Sequence, residues 1–211
     1  SESTFVNGQL NGLFCKWYED GQKKEELTFK SGVKDGTYKN WYSNGQKQCE
    51  VSFVNGKEQG FLIGWYENGN IKDITTFSDG VGHGLHTEWY ENGEKLGEGN
   101  WVNGSEDGIH TTWYDNGQKR TEEFYKNGLP HGLFSIWYPN GQIGKEIKWT
   151  NGIPGERKNW FHDGNKMSSD LFIDEGFICN SIKKEKYDEG YILENERYMY
   201  KNKIKDGSVK E

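Results

Sequence analysis

Aromatic residues recur along this chain at a fixed spacing, with polar residues and glycine between them. The pattern is clearest in residues 113–128, WYDNGQKRTEEFYKNG, and a Trp-Tyr pair returns every 24 residues along the sequence. The tryptophans of this series are Trp17, Trp41, Trp65, Trp89, Trp113 and Trp137, and a seventh, Trp160, arrives one residue early. A fixed period of this kind is the signature of a repeat protein.

Two turn signals divide each repeat. Three residues after each Trp comes Asn or Asp followed by Gly, as in Asp20-Gly21. A second pair with the same period, as in Asn7-Gly8, follows two residues after an aromatic residue such as Phe5. A further glycine comes four residues after the second pair, at Gly12, Gly36, Gly60, Gly84, Gly108 and Gly132. The chain therefore reverses direction twice in each repeat.

The segments between the turn signals have the pattern of β-strands. In residues 46–53, QKQCEVSF, Cys49, Val51 and Phe53 alternate with polar residues, which indicates a half-buried strand. The Asx-Gly pair after each Trp-Tyr is a strong hairpin signal. We expect the second reversal, typified by residues 54–60, VNGKEQG, to be longer.

The pairing register is left open by the sequence. A two-residue Asp-Gly turn would place Trp17 opposite Lys24. A three-residue loop with Gly21 in the left-handed conformation would place Trp17 opposite Lys23. A shift of one residue exchanges the faces of every side chain on one strand, so the sequence does not decide which face of the sheet buries the tryptophans.

Successive hairpins without crossovers predict an all-β fold, an elongated antiparallel meander of about seven 24-residue hairpin repeats and about fourteen strands. We expect one twisted and curved open sheet rather than a sandwich, because so many strands cannot stay flat. Residues 1–165 form these repeats. Residues 166–211 lose the tryptophan and gain lysine and glutamate, and we interpret them as a degenerate repeat and C-terminal cap.

The composition is unusual for a globular protein. Only 32% of residues are hydrophobic and the mean hydropathy is −1.02, values that lean toward disorder, whereas the 15% of aromatic residues are periodic. A thin sheet held by large rings reconciles these observations. We predict that the seven tryptophans form the structural core of the repeats. The alternative is that their rings face solvent and bind sugars or choline-like cations.

The net charge of −7 without a basic cluster argues against nucleic-acid binding and favours a partner with a basic surface. Cys15, Cys49 and Cys179 cannot all pair, and none has metal-site spacing. No run of 18 apolar residues predicts a membrane span. We predict no cofactor, no metal and no catalytic residue.

Two sets of residues could be mistaken for a catalytic or metal site. His86 and His110 occupy equivalent positions and should share a face, but about 9–10 Å apart, which is too far to share a metal. The other set is a column of carboxylates whose spacing resembles that of glycosidases and which we interpret as a solvated face, at Glu26, Glu50, Glu98, Glu122 and Glu146.

The repeat unit resembles the bacterial variant of the MORN (membrane occupation and recognition nexus) repeat, whose proteins are commonly grouped as YwqK-family antitoxins. The motif residues are the Trp-Tyr pairs, the glycines and a Lys-x-x-Glu element. This element holds at Lys23/Glu26, Lys47/Glu50, Lys95/Glu98 and Lys119/Glu122, is replaced at Ile71/Ile74 and is half lost at Ile143/Glu146. The resemblance implies an all-β binding scaffold that sequesters a partner toxin and has no catalytic motif.

We therefore expect a non-enzymatic repeat scaffold for protein–protein interaction, antitoxin-like in its mode of action. The alternative is a cell-surface module that binds glycan or cell-wall polymer through exposed aromatic rings, as choline-binding repeats do. The first reading places the protein in the cytoplasm and the second places it outside the cell after removal of a leader. Edge strands would allow self-association. The sequence does not identify the partner-binding surface.

Overall fold

The computed structural model describes residues 1–167, and every regular element in that range is a β-strand. Residues 166–211, interpreted above as the cap, therefore lie almost wholly outside the described residues. The strands are β1 (Glu2–Val6), β2 (Gln9–Trp17), β3 (Lys23–Lys30), β4 (Val33–Lys34), β5 (Gly36–Trp41), β6 (Lys47–Val54), β7 (Lys57–Trp65), β8 (Ile71–Ser78), β9 (Val81–Trp89), β10 (Lys95–Val102), β11 (Ser105–Glu106), β12 (Gly108–Trp113), β13 (Lys119–Lys126), β14 (Leu129–Pro130), β15 (Gly132–Trp137), β16 (Ile143–Thr150) and β17 (Ile153–Asn159).

The strands form one open antiparallel sheet. Each strand pairs with the strand before it and the strand after it, so the chain is a meander without crossovers. A single residue separates β4 from β5, β11 from β12 and β14 from β15, so the seventeen segments make fourteen strands. The predicted all-β hairpin-repeat fold is confirmed.

The turn after each Trp-Tyr pair is a three-residue loop. The Tyr18 N–H donates to the Gln22 carbonyl at 2.8 Å, and Trp17 lies opposite Lys23. Gly21 has φ +85°, the left-handed conformation that this loop requires. The Asp20 carboxylate accepts the Gln22 N–H at 2.9 Å and closes the loop. Trp17 thus has the partner expected for the three-residue loop, but a bulge at Lys24 places Lys16 opposite Glu25, so the rest of β2 and β3 follows the other of the two registers left open by the sequence.

The second reversal is shorter than predicted. Val54 pairs with Lys57, and Asn55 and Gly56 have φ of 49° and 83°, so the turn has two residues with positive φ. Such a turn matches the right-handed twist of the flanking strands. The expectation of a longer reversal across residues 54–60 was wrong because the extra length is a bulge inside β7. Gly60 and Phe61 lie between the pairs Ser52–Gln59 and Val51–Leu62, with no residue opposite them.

The same bulge explains why the seventh tryptophan arrives early. Between the pairs Trp149–Pro154 and Ile147–Arg157, β17 has one residue more than β16. At the equivalent place β7 has two residues more than β6. The chain regains the repeat geometry at Trp160, whose carbonyl accepts the Tyr138 O–H at 2.9 Å.

Alternation along the strands gives the sheet two chemically different faces. Cys15 pairs with Glu26, and these residues share a face with Trp17 and with the equivalent residues of the other repeats; we call it the tryptophan face. Phe14 pairs with Leu27 on the other side, which we call the phenylalanine face. The main cluster of buried apolar side chains lies on the phenylalanine face and consists of Leu27, Val51 and Phe53, with Phe29, Tyr38 and Leu62 packed against it.

Hydrogen bonds of one repeating type join each repeat to the next. Each Tyr hydroxyl donates to the backbone carbonyl of the Trp in the following repeat, at 2.7 to 2.9 Å. The pairs are Tyr18–Trp41, Tyr42–Trp65, Tyr66–Trp89, Tyr90–Trp113, Tyr114–Trp137 and Tyr138–Trp160. The Trp-Tyr dipeptide thus recurs because its tyrosine joins neighbouring hairpins, and a repeat array depends on such interfaces for its stability.

Candidate functional site

The tryptophan rings are partly covered by lysines. All seven tryptophans of the series are partly buried. In four repeats the Lys ammonium lies over the Trp ring of the next repeat, 4.9 to 5.6 Å from the ring centroid. These pairs are Lys23–Trp41, Lys47–Trp65, Lys95–Trp113 and Lys119–Trp137. This contact between repeats was not foreseen from the sequence.

The same lysines bind the glutamates of the Lys-x-x-Glu element. Each Nζ lies 2.5 to 2.8 Å from a carboxylate oxygen, in the pairs Lys23–Glu26, Lys47–Glu50, Lys95–Glu98 and Lys119–Glu122. The side chains are partly exposed, so each ion pair contributes little to stability. Their effect is to hold the lysines over the rings, and the carboxylate column is thus occupied by structural ion pairs at four of its five positions.

Exposed apolar side chains are concentrated on the tryptophan face. Of the large hydrophobic side chains that are exposed within residues 1–167, all but Phe5 belong to this face. One row comes from the bulges, at Leu13, Phe61, Leu85, Ile109 and Leu133. A second row comes from the two-residue turns, at Val6, Val33, Val54, Val81, Val102, Leu129 and Ile153. We call these two rows, with Phe124, the apolar strip.

The apolar strip runs along the whole described sheet. Because each repeat contributes two strands about 4.8 Å apart, the strip is about 60 Å long. Phe61 is 63% exposed and Ile109 is 60% exposed, so these rings and methyl groups contact solvent directly. Rows of exposed apolar side chains of this extent are typical of interaction surfaces. The signal in the sequence was the apolar residue that follows five of the six glycines from Gly12 to Gly132, with Thr37 as the exception.

The three-residue loops, at the strand ends away from the apolar strip, carry acidic charge. Each three-residue loop with its two flanking residues corresponds to residues 18–22 or to the equivalent positions of another repeat. Together these segments hold seven carboxylates and no Lys or Arg. The carboxylates are Glu19, Asp20, Glu67, Glu91, Glu94, Asp115 and Asp163. We call this row the acidic loop edge. Part of the net charge of −7 is therefore concentrated along one long side of the sheet.

Aromatic and imidazole rings stack on the phenylalanine face of the fourth and fifth repeats. Trp101 lies between His86 and His110, with ring centroids 5.3 and 4.7 Å away. Tyr125 continues the stack at 4.9 Å from His110. The two histidines share a face, as predicted. His86 Nδ1 lies 2.7 Å from the Thr75 hydroxyl, and His110 Nε2 donates to the Asn100 carbonyl at 3.0 Å.

Carboxylates border this stack on the same face. Asp73 lies opposite Glu88, and burial raises the pKa of the Asp73 carboxyl above its usual range. Glu88 Oε1 is 3.5 Å from His86 Nε2. A Cβ at Gly64 would overlap the Asp73 carboxylate, so that glycine makes room for the acidic side chain. Next to the stack, the Tyr125 hydroxyl donates to Glu123, and burial raises the Tyr125 pKa.

The described residues offer little for catalysis. Within residues 1–167 no three His, Cys, Asp or Glu side chains are close enough to hold a metal ion. Cys15 and Cys49 are free thiols, and burial raises the pKa of both, which lowers the thiolate fraction that a nucleophile needs. No helix in this part of the chain could cross a membrane.

These features define a single-layer β-hairpin repeat scaffold with one long apolar surface. Five segments match the MORN repeat variant, at residues 10–31, 34–55, 82–103, 106–127 and 130–151, together just over half of the chain. The chain therefore belongs to the MORN repeat variant family, a non-catalytic family of interaction modules. Residues 58–79, between two matches, keep the same strand register although Ile71 and Ile74 replace Lys and Glu. No curated protein matches the chain.

Proposed function

We propose that this protein is a non-enzymatic scaffold that binds another protein along the apolar strip of its tryptophan face. The observation that carries the proposal is the concentration of exposed large hydrophobic side chains on that face. Isolated exposed apolar residues are normal in proteins, but a continuous row over many repeats exposes apolar area that binding would remove from water.

Charge gives the proposed partner a second property. The acidic loop edge runs parallel to the apolar strip, on the other long side of the sheet. A partner that covers the tryptophan face from side to side meets both, and a basic surface on it would complement the carboxylates of the loops. Such a partner would be masked over much of its surface, which is how an antitoxin-like protein sequesters its target.

The geometry favours a protein over a glycan as the ligand of this face. Sugar binding by stacking needs open ring faces, whereas lysines cover four of the tryptophans. The exposed side chains are aliphatic at most positions of the strip, and aliphatic surfaces pack against protein side chains rather than sugar rings.

The test compares the wild-type protein with a strip variant, Phe61→Thr with Leu85→Thr and Ile109→Thr. Threonine is the residue at Thr37, the equivalent position of the second repeat, so the fold should tolerate it. Both proteins are immobilised to capture partners from an extract, and any captured protein is purified and measured by calorimetry. A purified partner is expected to lose at least about tenfold in affinity for the strip variant, since three buried side chains are truncated.

A control variant, Glu19→Gln with Glu67→Gln, changes the acidic loop edge alone. It is expected to slow association and to reduce its salt dependence, with a smaller effect on dissociation. A partner that binds the strip variant as tightly as the wild type contradicts the proposal. So does tight binding of chitin or peptidoglycan fragments that alters tryptophan emission, which supports the glycan reading instead.

A further inference from the structure

A cleft of about 220 Å³ opens on the phenylalanine face beside Trp101. Its walls are Thr75, Thr76, Gly82, His83, Gly84, His86 and Trp101. The rings of His86 and Trp101, which both line the opening, meet edge to face at an interplanar angle of 90°. Most of its walls, including Gly82, His86 and Trp101, belong to the face opposite the apolar strip.

The second repeat shows what fills the equivalent place. There the ammonium of Lys34 lies over the ring of Phe53, 4.7 Å from its centroid. Counting forward by two repeats, Lys34 corresponds to Gly82 and Phe53 corresponds to Trp101. The fourth repeat therefore keeps the ring and lacks the lysine. The cleft opens at the position that a cation occupies elsewhere in the same protein.

Two carboxylates lie near the cleft. Asp73 and Glu88 lie directly opposite each other on the same face, next to Thr75 and His86, and like charges so placed repel. Burial raises the pKa of the Asp73 carboxyl, although the charges of Lys72 and His86 act in the opposite direction. Neither carboxylate lines the cleft, but each lies two residues along its strand from a lining residue, Thr75 or His86. A cation in the cleft would lie against the indole, an arrangement that attracts organic cations, and the nearby carboxylates would favour its charge.

The geometry points to this cleft as a binding site for an organic cation, the ammonium or guanidinium group of a lysine or arginine side chain on a basic protein. The side chain would take the place that Lys34 has in the second repeat, with its charge over Trp101. This inference rests on the proposed function only for the source of the cation, a protein partner, and the site itself stands on the geometry of the cleft.

The test is a titration followed by NMR of the Trp101 indole N–H, assigned by its loss in Trp101→Phe. The probes are N-acetyl-arginine methylamide, N-acetyl-lysine methylamide and the neutral N-acetyl-citrulline methylamide. Arginine or lysine is expected to give a saturable shift at Trp101, whereas citrulline gives none. No saturable shift with either cation, or an equal shift with citrulline, overturns the inference.

A filled-site variant makes the test decisive. Gly82→Lys restores the residue found at Lys34; no atom lies within 4 Å of a Cβ built at Gly82, so the backbone accepts it. The tethered ammonium competes at high effective concentration and should weaken arginine binding by about tenfold or more. Gly82→Ala, its matched control, adds only a methyl group to the wall of the cleft and should weaken binding far less than Gly82→Lys. Unchanged binding by Gly82→Lys contradicts the assignment.

Further variants separate this site from the apolar strip. Asp73→Asn with Glu88→Gln should weaken cation binding, and Glu98→Gln on the tryptophan face of the same repeat should not. The strip variant described above should bind arginine normally, so loss of the partner and loss of the cation are separate results. If choline binds at Trp101 while both amino-acid probes fail, the assignment to a basic side chain is overturned.

Discussion

The two faces of the sheet use the same repeat in different ways. On the tryptophan face, Trp, Lys and Glu return at equivalent positions in most repeats, and so do the apolar residues of the strip. On the phenylalanine face the first two repeats bury Leu27, Val51 and Phe53, whereas the fourth has Gly97 and Gly99 in the corresponding strand. The regular face thus builds a long uniform surface, and the irregular face builds a local site.

Departures from the repeat have structural consequences of their own. Gly82, Gly97 and Gly99 remove side chains where other repeats have larger ones. The spaces are not equivalent: the His110 ring covers Gly99, whereas the space beside Gly82 stays open as the cleft. One irregular repeat therefore contains both a filled gap and a vacant one.

The largest expected effect distinguishes the buried and exposed apolar residues of the two faces. Leu27→Ala on the phenylalanine face should lower the free energy of unfolding by about 2–5 kcal/mol, since Leu27 is 2% exposed. Leu13→Ala on the tryptophan face should change it by less than about 0.5 kcal/mol, since Leu13 is 51% exposed. Urea unfolding followed by circular dichroism measures both. Equal losses for the two variants would mean that the strip is part of the core.

A smaller effect should distinguish the filled gap from the vacant one. Gly99→Ala places a Cβ inside the His110 ring and should cost about 1–3 kcal/mol through overpacking. Gly82→Ala meets no atom within 4 Å and should be nearly neutral. Thermal unfolding of both variants provides the measurement. In a His110→Ala background the cost of Gly99→Ala should largely disappear, and its persistence would point to backbone strain instead.

Alkaline pH should weaken the sheet through its tyrosines. Burial raises the pKa of Tyr38, Tyr66, Tyr90 and Tyr125 in the folded protein. Their contribution to stability is complete below the unfolded tyrosine pKa of about 10 and is lost as the pH rises through the higher folded values. The urea midpoint should therefore fall as the pH rises above about 10. Tyr125→Phe should reduce this fall, and an identical pH profile would contradict the assignment.

The smallest effect concerns the lysines over the tryptophans. Lys95→Met removes the cation 5.3 Å from the Trp113 ring centroid and the ion pair with Glu98, and should cost less than about 1 kcal/mol. The reverse change, Ile71→Lys, supplies the missing lysine next to Trp89 and should gain no more than that. Urea midpoints at low and high salt measure both changes. A loss of several kcal/mol in Lys95→Met would show that the lysines are needed for folding.

Most of the architecture could be predicted from the sequence. The 24-residue period, the Asx-Gly pairs and the alternation in residues 46–53 depend on neighbours along the chain, so they predicted the hairpins, the fourteen strands and the shared face of His86 and His110. The prediction of a longer reversal at residues 54–60 failed because a bulge at Gly60 adds residues without lengthening the turn. A pattern of residue types does not distinguish these two uses of a glycine.

Tertiary structure alone decided the register and what each face exposes. The left-handed Gly21 places Trp17 opposite Lys23, and a bulge at Lys24 then restores the other register from Lys16 and Glu25 onward, so the loop and the bulge together set the faces of the side chains beyond them. The Lys–Trp contacts, the apolar strip and the cleft beside Trp101 each join residues from different strands or repeats. Local sequence encodes backbone direction, because turns and strands are short-range structures. Contacts between repeats depend on register, which is set only when the strands have paired.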